Sequence, residues 1–290
     1  CKLAVINDTG SYLAKDVIFP HKPVNKKDTA KAVILKLIKK YDVSLIAIGN
    51  GTASRESEEF IGELIKEENL EVPYIIVNEA GASVYSASDI AREEFPDFNV
   101  EERSAVSIAR RVHDPLSELV KIDPKSIGVG QYQHDINQKF LTESLNFVVE
   151  TAVNQVGVNL NTASTTLLQH VAGLSPVISK NIVTFREENG GFKKRSELKK
   201  VARLGDKTYE QCVGFLRIFN GKEPLDVTPI HPEQYKNTYQ LIKTIGLTIE
   251  NLGEDVMSEK LDALNIKETA EMLDIGVPTL EDIILSLKAP

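Results

Sequence analysis

Along residues 1–95 the spacing of apolar positions switches repeatedly between two periods. Lys2–Ile6 and Tyr12–Phe19 carry the strand signature, and Asn7, Asp8, Thr9 and Gly10 between them predict a tight turn. Asp28 is placed to cap a helix whose apolar face holds Val33, Leu37 and Ile38. Ser44–Ile48 is a short apolar run ending at Gly49, as a buried strand does, and Pro73–Val77 is a second. Ser54–Asn69 predicts a helix with Phe60, Ile61, Leu64 and Ile65 inward, and Gly81–Glu94 predicts another. Hairpin strands followed by β-α-β-α imply a mixed sheet with helices on its faces.

From about Glu101 the strand signal nearly disappears. Arg103–His113 reads as a helix that stops before Pro115. Asn137–Val156 reads as a long helix, with Phe140, Leu141, Leu145, Val148, Val149, Ala152 and Val156 at helical spacing and Gly157 as its C-cap. Several short helices follow over 161–219. Pro224, Pro229 and Pro232 mark a linker, and an acidic helical stretch with Leu261, Leu264, Leu273, Ile283 and Leu287 runs to Pro290.

Two segments thirty residues apart share one plan: Leu167–Pro176, ending Val171-Ala172-Gly173-Leu174-Ser175-Pro176, and Glu197–Asp206, ending Val201-Ala202-Arg203-Leu204-Gly205-Asp206. Each is a short helix, a turn with a leucine between small residues, and a start signal for a new helix. Ser175 is expected to cap the first such helix with Pro176 at its first position, and Asp206 the second. Asn161 and Ser196 are available to cap the leading helices. Such a turn aims several backbone N–H groups, together with a positive dipole end, outward at one point, which makes a phosphate site. Glycine lets the chain approach the phosphate, while Leu174 and Leu204 plug the gaps between helices.

Charge sharpens this picture. The chain carries a net −8, which argues against indiscriminate coating of nucleic acid. Yet Lys180 to Lys207 holds nine lysines and arginines against four acids, a local +5, whereas Glu223 to Pro290 is locally −8. A basic middle and an acidic tail imply segregated roles. No apolar run of about 18 residues predicts a membrane span. The only cysteines, Cys1 and Cys212, offer neither a disulfide framework nor a zinc site, so a cytoplasmic location without cofactor or metal is expected. The start at Cys1, without a Met, reads as a cut end.

The stretch Leu174–Phe219, with Arg186-Glu187-Glu188-Asn189-Gly190-Gly191-Phe192 ahead of Ser196-Glu197-Leu198, resembles the tandem helix-hairpin-helix module of bacterial DNA-binding and repair proteins. Each hairpin departs from the two-glycine form: Ser175 stands for the second glycine of one, Arg203 for the first glycine of the other. The resemblance widens through Ile48–Glu56, Ser104–Arg111 and Asp114–Gln138, which are similar to the bacterial Tex family of transcription accessory proteins. That likeness implies a YqgF-type, RNase-H-like domain, the hairpin pair and a helical C-terminal region. Full-length members also carry N-terminal helical segments and a C-terminal OB-fold that binds RNA. It further implies that the first, central strand of the RNase-H-like sheet lies before Cys1.

RNase-H-like nucleases hold two metal ions with several carboxylates at strand ends. Glu79, after the strand ending at Val77, is the position where the resemblance implies a catalytic acid. The first-strand acid would precede Cys1, and where the last is implied this chain offers Arg103, Ser104 and Ser107. Glu79 therefore reads as a vestigial acid, and the domain as inactive. The loop Asn50, Gly51, Thr52, Ser54 and Arg55 links a strand to a helix at the carboxyl edge of the sheet, and reads either as a plain turn or as an anion-binding loop. His134 beside Asp135, without a nucleophile, reads as structural.

The expected architecture is thus α/β plus all-α and multidomain: an RNase-H-like domain at 1–99, a helical linker with a long helix at 100–158, a tandem helix-hairpin-helix domain at 159–222 and an acidic, wedge-like helical domain at 223–290. The expected function is sequence-tolerant binding of RNA or DNA backbone by a non-enzymatic transcription accessory scaffold. The residues expected to carry it are Gly173, Leu174, Ser175, Lys180, Lys193, Lys194, Arg195, Arg203, Leu204, Gly205 and Lys207. The alternatives are a metal-dependent nuclease or resolvase, and a scaffold that docks transcription or ribosomal proteins.

Overall fold

The computed structural model describes residues 1–127 and 133–289; motif residues Gly128, Val129, Gly130, Gln131 and Tyr132, and Pro290, lie outside the described residues. Contacts divide the chain into two units, 1–145 and 146–290.

The first unit opens with β1 (Lys2–Ile6) and β2 (Tyr12–Val17), paired antiparallel with a register shift between Val5 and Ile6. Their turn is held by the Asn7 side chain, whose Oδ1 accepts from the amides of Thr9 (3.1 Å) and Ser11 (2.8 Å). Then come α1 (Lys27–Tyr41), β3 (Ile46–Gly49), α2 (Ser54–Glu67) and β4 (Tyr74–Val77), with β3 and β4 parallel. Ala30 and Ile34 of α1 and Phe60, Ile61 and Leu64 of α2 close over Ile18 and Ile48 as one buried cluster. The two strand pairs form separate two-stranded sheets among the described residues.

After β4 the chain forms α3 (Ala82–Ala87), α4 (Asp89–Glu94), α5 (Val100–His113) and α6 (Pro115–Leu119). Helix α5 packs on β1, β3 and β4, and so ties both sheets together. A capping box starts it: Asn99 Oδ1 accepts from the Glu102 amide and Glu102 accepts from the Asn99 amide, each at 2.9 Å.

Helix α7 (Gln138–Val156) runs across the boundary between the units. The second unit continues with β5 (Val158–Asn159), α8 (Thr165–Leu168), α9 (Pro176–Asn189), α10 (Asp206–Cys212) and β6 (Leu216–Arg217), and a parallel β5–β6 bridge closes the hairpin region end to end. Four more helices, α11 (Tyr235–Thr244), α12 (Asp255–Asp262), α13 (Ile266–Leu273) and α14 (Val277–Lys288), bury Leu241, Met257, Leu261, Leu280, Ile283 and Leu287 against one another. No helix among the described residues is long and apolar enough to cross a membrane.

Several expectations need correction. The single helix expected over Gly81–Glu94 is two, because the Ser88 hydroxyl donates to the Tyr85 carbonyl (2.6 Å) and accepts from the Ala91 amide (3.2 Å), ending one helix and starting the next. Asp28 does not cap α1; Lys26 occupies the cap position and Asp28 lies in the first turn, where its charge favours the helix dipole. Tyr74, Ile75 and Ile76 of β4, expected to be buried, are exposed, since β4 pairs on one edge only among the described residues. Of the apolar stripe expected on α7, Phe140, Val148 and Val156 are exposed, and only Val153 of the helix is buried.

Because α5 joins both sheets, its cap is expected to matter beyond the helix end. Asn99→Ala should cost about 1 kcal/mol, read as a roughly fivefold faster hydrogen exchange of the α5 amides; unchanged exchange would mean the capping box contributes nothing.

Candidate nucleic-acid interface

The two turns adopt one backbone. Gly173 and Arg203 both take the left-handed conformation (φ 85° and 65°), and Ser175 and Gly205 both follow in extended conformation as N-caps of α9 and α10. In each, the leucine amide closes the turn: Leu174 donates to the Val171 carbonyl (3.1 Å) and Leu204 to that of Val201 (3.2 Å). Burial repeats as well. Val171, Leu174 and Ser179 are buried in the first hairpin as Val201, Leu204 and Tyr209 are in the second, while the residues at the turn tips are exposed. The thirty-residue internal repeat is thus a structural one.

The turns brace each other. Asn181 of α9 donates its side-chain amide to the Ala202 carbonyl of the second turn (2.8 Å). Its counterpart thirty residues on, Gln211 of α10, lies against the first turn, where a Cβ on Gly173 would fall 2.9 Å from the Gln211 Cβ. Gly173 is therefore required by packing as well as by its positive φ. Asn154 of α7 holds the same turn from the other side, donating to the His170 carbonyl (3.0 Å) and accepting from the Ala172 amide (3.2 Å).

What this leaves outward is a set of amides. In the first hairpin the Ser175 hydroxyl accepts from Ile178 (3.3 Å) and Pro176 has no N–H, but the amides of Gly173, Ser175 and Val177 have no acceptor among the described residues. In the second, the first helical bond runs from Tyr209 to the Gly205 carbonyl (2.9 Å), and no side chain caps α10. The amides of Arg203, Gly205, Asp206, Lys207 and Thr208 are then open among the described residues. Lys180, Lys193, Lys194, Arg203 and Lys207 are exposed, and none makes an ion pair among the described residues.

Three expectations change here. Arg195 is not a surface cation: it is 1% exposed and its guanidinium is consumed internally. Its Nε donates to Asp226 Oδ1 (3.1 Å), its Nη1 to the carbonyls of Val213 and Leu216, and its Nη2 to those of Leu225 and Ile230 and to the Tyr235 hydroxyl. Asp226 also accepts from the Arg195 amide (2.7 Å) and from Tyr235 (2.6 Å). Leu174 and Leu204 offer neither side chain nor amide to a ligand, since the one is buried and the other spent within the turn. Among the caps, Gly205 replaces Asp206, Ser164 rather than Asn161 caps α8, and the 3-10 turn Arg195–Lys200 is capped at Lys194 rather than Ser196. Asn161 instead pairs twice with the Phe192 backbone, at 2.7 and 2.9 Å.

In the first unit the Glu79 carboxylate lies against the end of β3. A Cβ on Gly51 would fall 1.5 Å from Glu79 Oε1 and one on Gly49 2.6 Å from Oε2, while Asn50 Oδ1 accepts from the Glu79 amide (3.0 Å). The loop of Asn50, Gly51, Thr52, Ser54 and Arg55 thus has the Glu79 carboxylate against its glycines, which favours the plain turn of the two readings. Arg103 of α5 is buried, donating to the Phe95 and Ser86 carbonyls, and Ser107 donates to Glu118 (2.7 Å). Glu118, buried, and Glu94, half-buried, are acids that sequence reasoning missed. Lys121 bridges them at 2.6 and 2.9 Å, and Arg110 reaches Glu94 at 3.1 Å. Burial alone would raise the Glu94 carboxyl, but Lys121 and Arg110 outweigh it and hold it below the usual range. Arg111 donates to the Asn78 and Ala80 carbonyls, and its buried Nε and Nη2 have no partner among the described residues.

Comparison with known proteins places these features. Residues 1–113 match the Tex protein YqgF-like domain, 153–217 the helix-hairpin-helix motif, and 223–290 a further helix-hairpin-helix domain. Over its whole length the chain is 60% identical to the uncharacterized protein YdcI of Bacillus subtilis and 49% identical to the transcriptional accessory protein Tex of Neisseria gonorrhoeae. It is also 40% identical to human S1 RNA-binding domain-containing protein 1. The chain spans 40%, 37% and 34% of these relatives respectively.

Removing one side of the buried pair separates a structural Arg195 from a phosphate-binding one. Arg195→Ala leaves Asp226 charged and unpaired, which should cost about 3–5 kcal/mol and lower the Tm of the second unit by about 10 °C. A variant with unchanged Tm but weakened nucleic-acid binding would restore Arg195 to the surface.

Proposed function

The chain belongs to the Tex family, and on that premise we propose that it binds the sugar-phosphate backbone of RNA or DNA, without sequence preference, through its two hairpin turns. The observation that carries this reading is the pair of matched turns, each exposed and each ending in amides without acceptors among the described residues, with Lys180 on α9, Arg203 in the second turn and Lys207 on α10 exposed beside them. Gly173, Ser175, Arg203 and Gly205 present backbone N–H groups, while Lys180, Lys193, Lys194, Arg203 and Lys207 supply charge. Amide and lysine contacts to phosphate read no base, so every sequence should bind alike. The second hairpin has more open amides and two flanking cations, Arg203 and Lys207, and is the stronger half of the site.

On this reading the YqgF-like domain is a non-catalytic scaffold. What supports it is the state of its acids. Glu94 and Glu118 are neutralised by Lys121 and Arg110, and Glu79 lies alone against the glycines at the end of β3. Among the described residues Glu79 belongs to no cluster of three acids or histidines, whereas a two-metal mechanism needs several carboxylates together. The names of the relatives, a transcriptional accessory protein and an S1 RNA-binding domain protein, agree with a role beside nucleic acid in transcription; a cytoplasmic location is part of the same proposal. Domain limits near residues 99, 158 and 222 belong to the same reading.

The test is salt-dependent binding of single-stranded RNA, single-stranded DNA and duplex DNA to the parent chain and to the Lys180→Glu, Lys207→Glu double variant. All three affinities should fall alike, and the slope of log K against log salt should shrink by about 1.4–1.8 for the two lost phosphate contacts. Unchanged affinity and slope would remove the hairpins from the interface.

A further inference from the structure

Where the hairpin region meets the C-terminal helices, three side chains converge that the phosphate-binding reading does not use. Glu210 lies on α10, and His231 and Glu233 lie on the 3-10 turn before α11. The His231 Nε2 is 3.4 Å from Glu210 Oε2, and its Nδ1 is 3.6 Å from Glu233 Oε2. One donor atom from each residue can be chosen so that all three lie within 4.8 Å of one another. We propose that Glu210, His231 and Glu233 form a binding site for a divalent transition metal of the zinc type, which staples the second hairpin to the domain that follows it.

The chemistry of the set selects the class. One imidazole with two carboxylates suits zinc and its neighbours, whereas magnesium prefers an all-oxygen, largely hydrated octahedron. Donors about 2.0–2.2 Å from a shared ion stand roughly 3–3.5 Å apart; with one atom taken from each residue the three donors lie within 4.8 Å of one another, so binding draws the two carboxylates in toward one ring nitrogen. Charge argues the same way: neither glutamate has a lysine or arginine partner among the described residues, so the pair faces only the imidazole. Both ring nitrogens make backbone contacts, Nε2 at 3.3 Å from the Glu210 carbonyl and Nδ1 accepting from the Glu233 amide at 3.4 Å, so an ion on Nε2 takes the place of the carbonyl contact. The carboxylates, 44% and 67% exposed, are free to turn onto an ion. No cysteine takes part, so a search for zinc sites by cysteine spacing passes over it.

The ion would tie α10, which carries Glu210 one turn after Lys207, to the segment leading into α11. The experiment is titration of the chain with zinc chloride by calorimetry, with thermal unfolding in parallel, and with magnesium chloride as the control. Glu210→Gln lies at the surface, while His231→Gln replaces the half-buried cap of the turn before α11, and circular dichroism checks that both variants keep the fold. Each should lose one bound zinc per chain and the zinc-dependent rise in Tm, while magnesium should give neither. Zinc stoichiometry unchanged in both variants, or no zinc binding by the parent chain, would overturn the site.

Discussion

A guanidinium buried with a single carboxylate and five backbone carbonyls or hydroxyls is expensive to assemble and more expensive to break. Arg195 and Asp226 form such a centre, and the second unit is organised around it. Desolvating either ion alone costs several kcal/mol, so each element that supplies an acceptor is held in register by the need to keep the charge satisfied. The acceptors come from the turn just after α10 (Val213), from β6 (Leu216), from the segment after β6 (Leu225, Asp226, Ile230) and from the start of α11 (Tyr235). Arg195 itself begins the leading turn of the second hairpin. One side chain therefore fixes the hairpin relative to the helices that follow.

That frame explains how exposed amides persist. A turn whose N–H groups face solvent gains nothing from them locally, and Arg203 in a left-handed conformation is locally unfavourable. The cost is tolerated because Val201 and Leu204 are buried beneath it and because Asn181 holds the Ala202 carbonyl. The first turn solves the same problem with Gly173, packed on Gln211 and clamped by Asn154. The outcome is two rigid donor clusters on a chain whose net charge is −8, so attraction to a polyanion depends on where the lysines stand and not on how many there are.

Much of the fold was legible because it rests on local period. The β1–β2 hairpin, α5, α7 and the thirty-residue repeat all follow from apolar spacing and turn residues. What was misread depends on partners distant in sequence. Lys193, Lys194 and Arg195 are one basic run, yet the third is core, because Asp226 lies 31 residues away. Glu118 on α6 and Lys121 just beyond it are an i,i+3 pair, but Glu94 comes from α4, 27 residues before Lys121, and no spacing announces it. Ser88, Asp28, Ser164 and Gly205 sit among several residues able to cap, and backbone geometry rather than residue type chose between them. The β5–β6 bridge has two residues per strand, too few for any period to show.

The outward amides are the core of this account, and they can be observed one by one. In a 15N-labelled chain titrated with a short single-stranded RNA, the backbone resonances of Gly173, Ser175, Val177, Arg203, Gly205 and Lys207 should shift first and furthest, in the same order for unrelated sequences. Shifts confined to the first unit or to α11–α14, with the two turns silent, would contradict it.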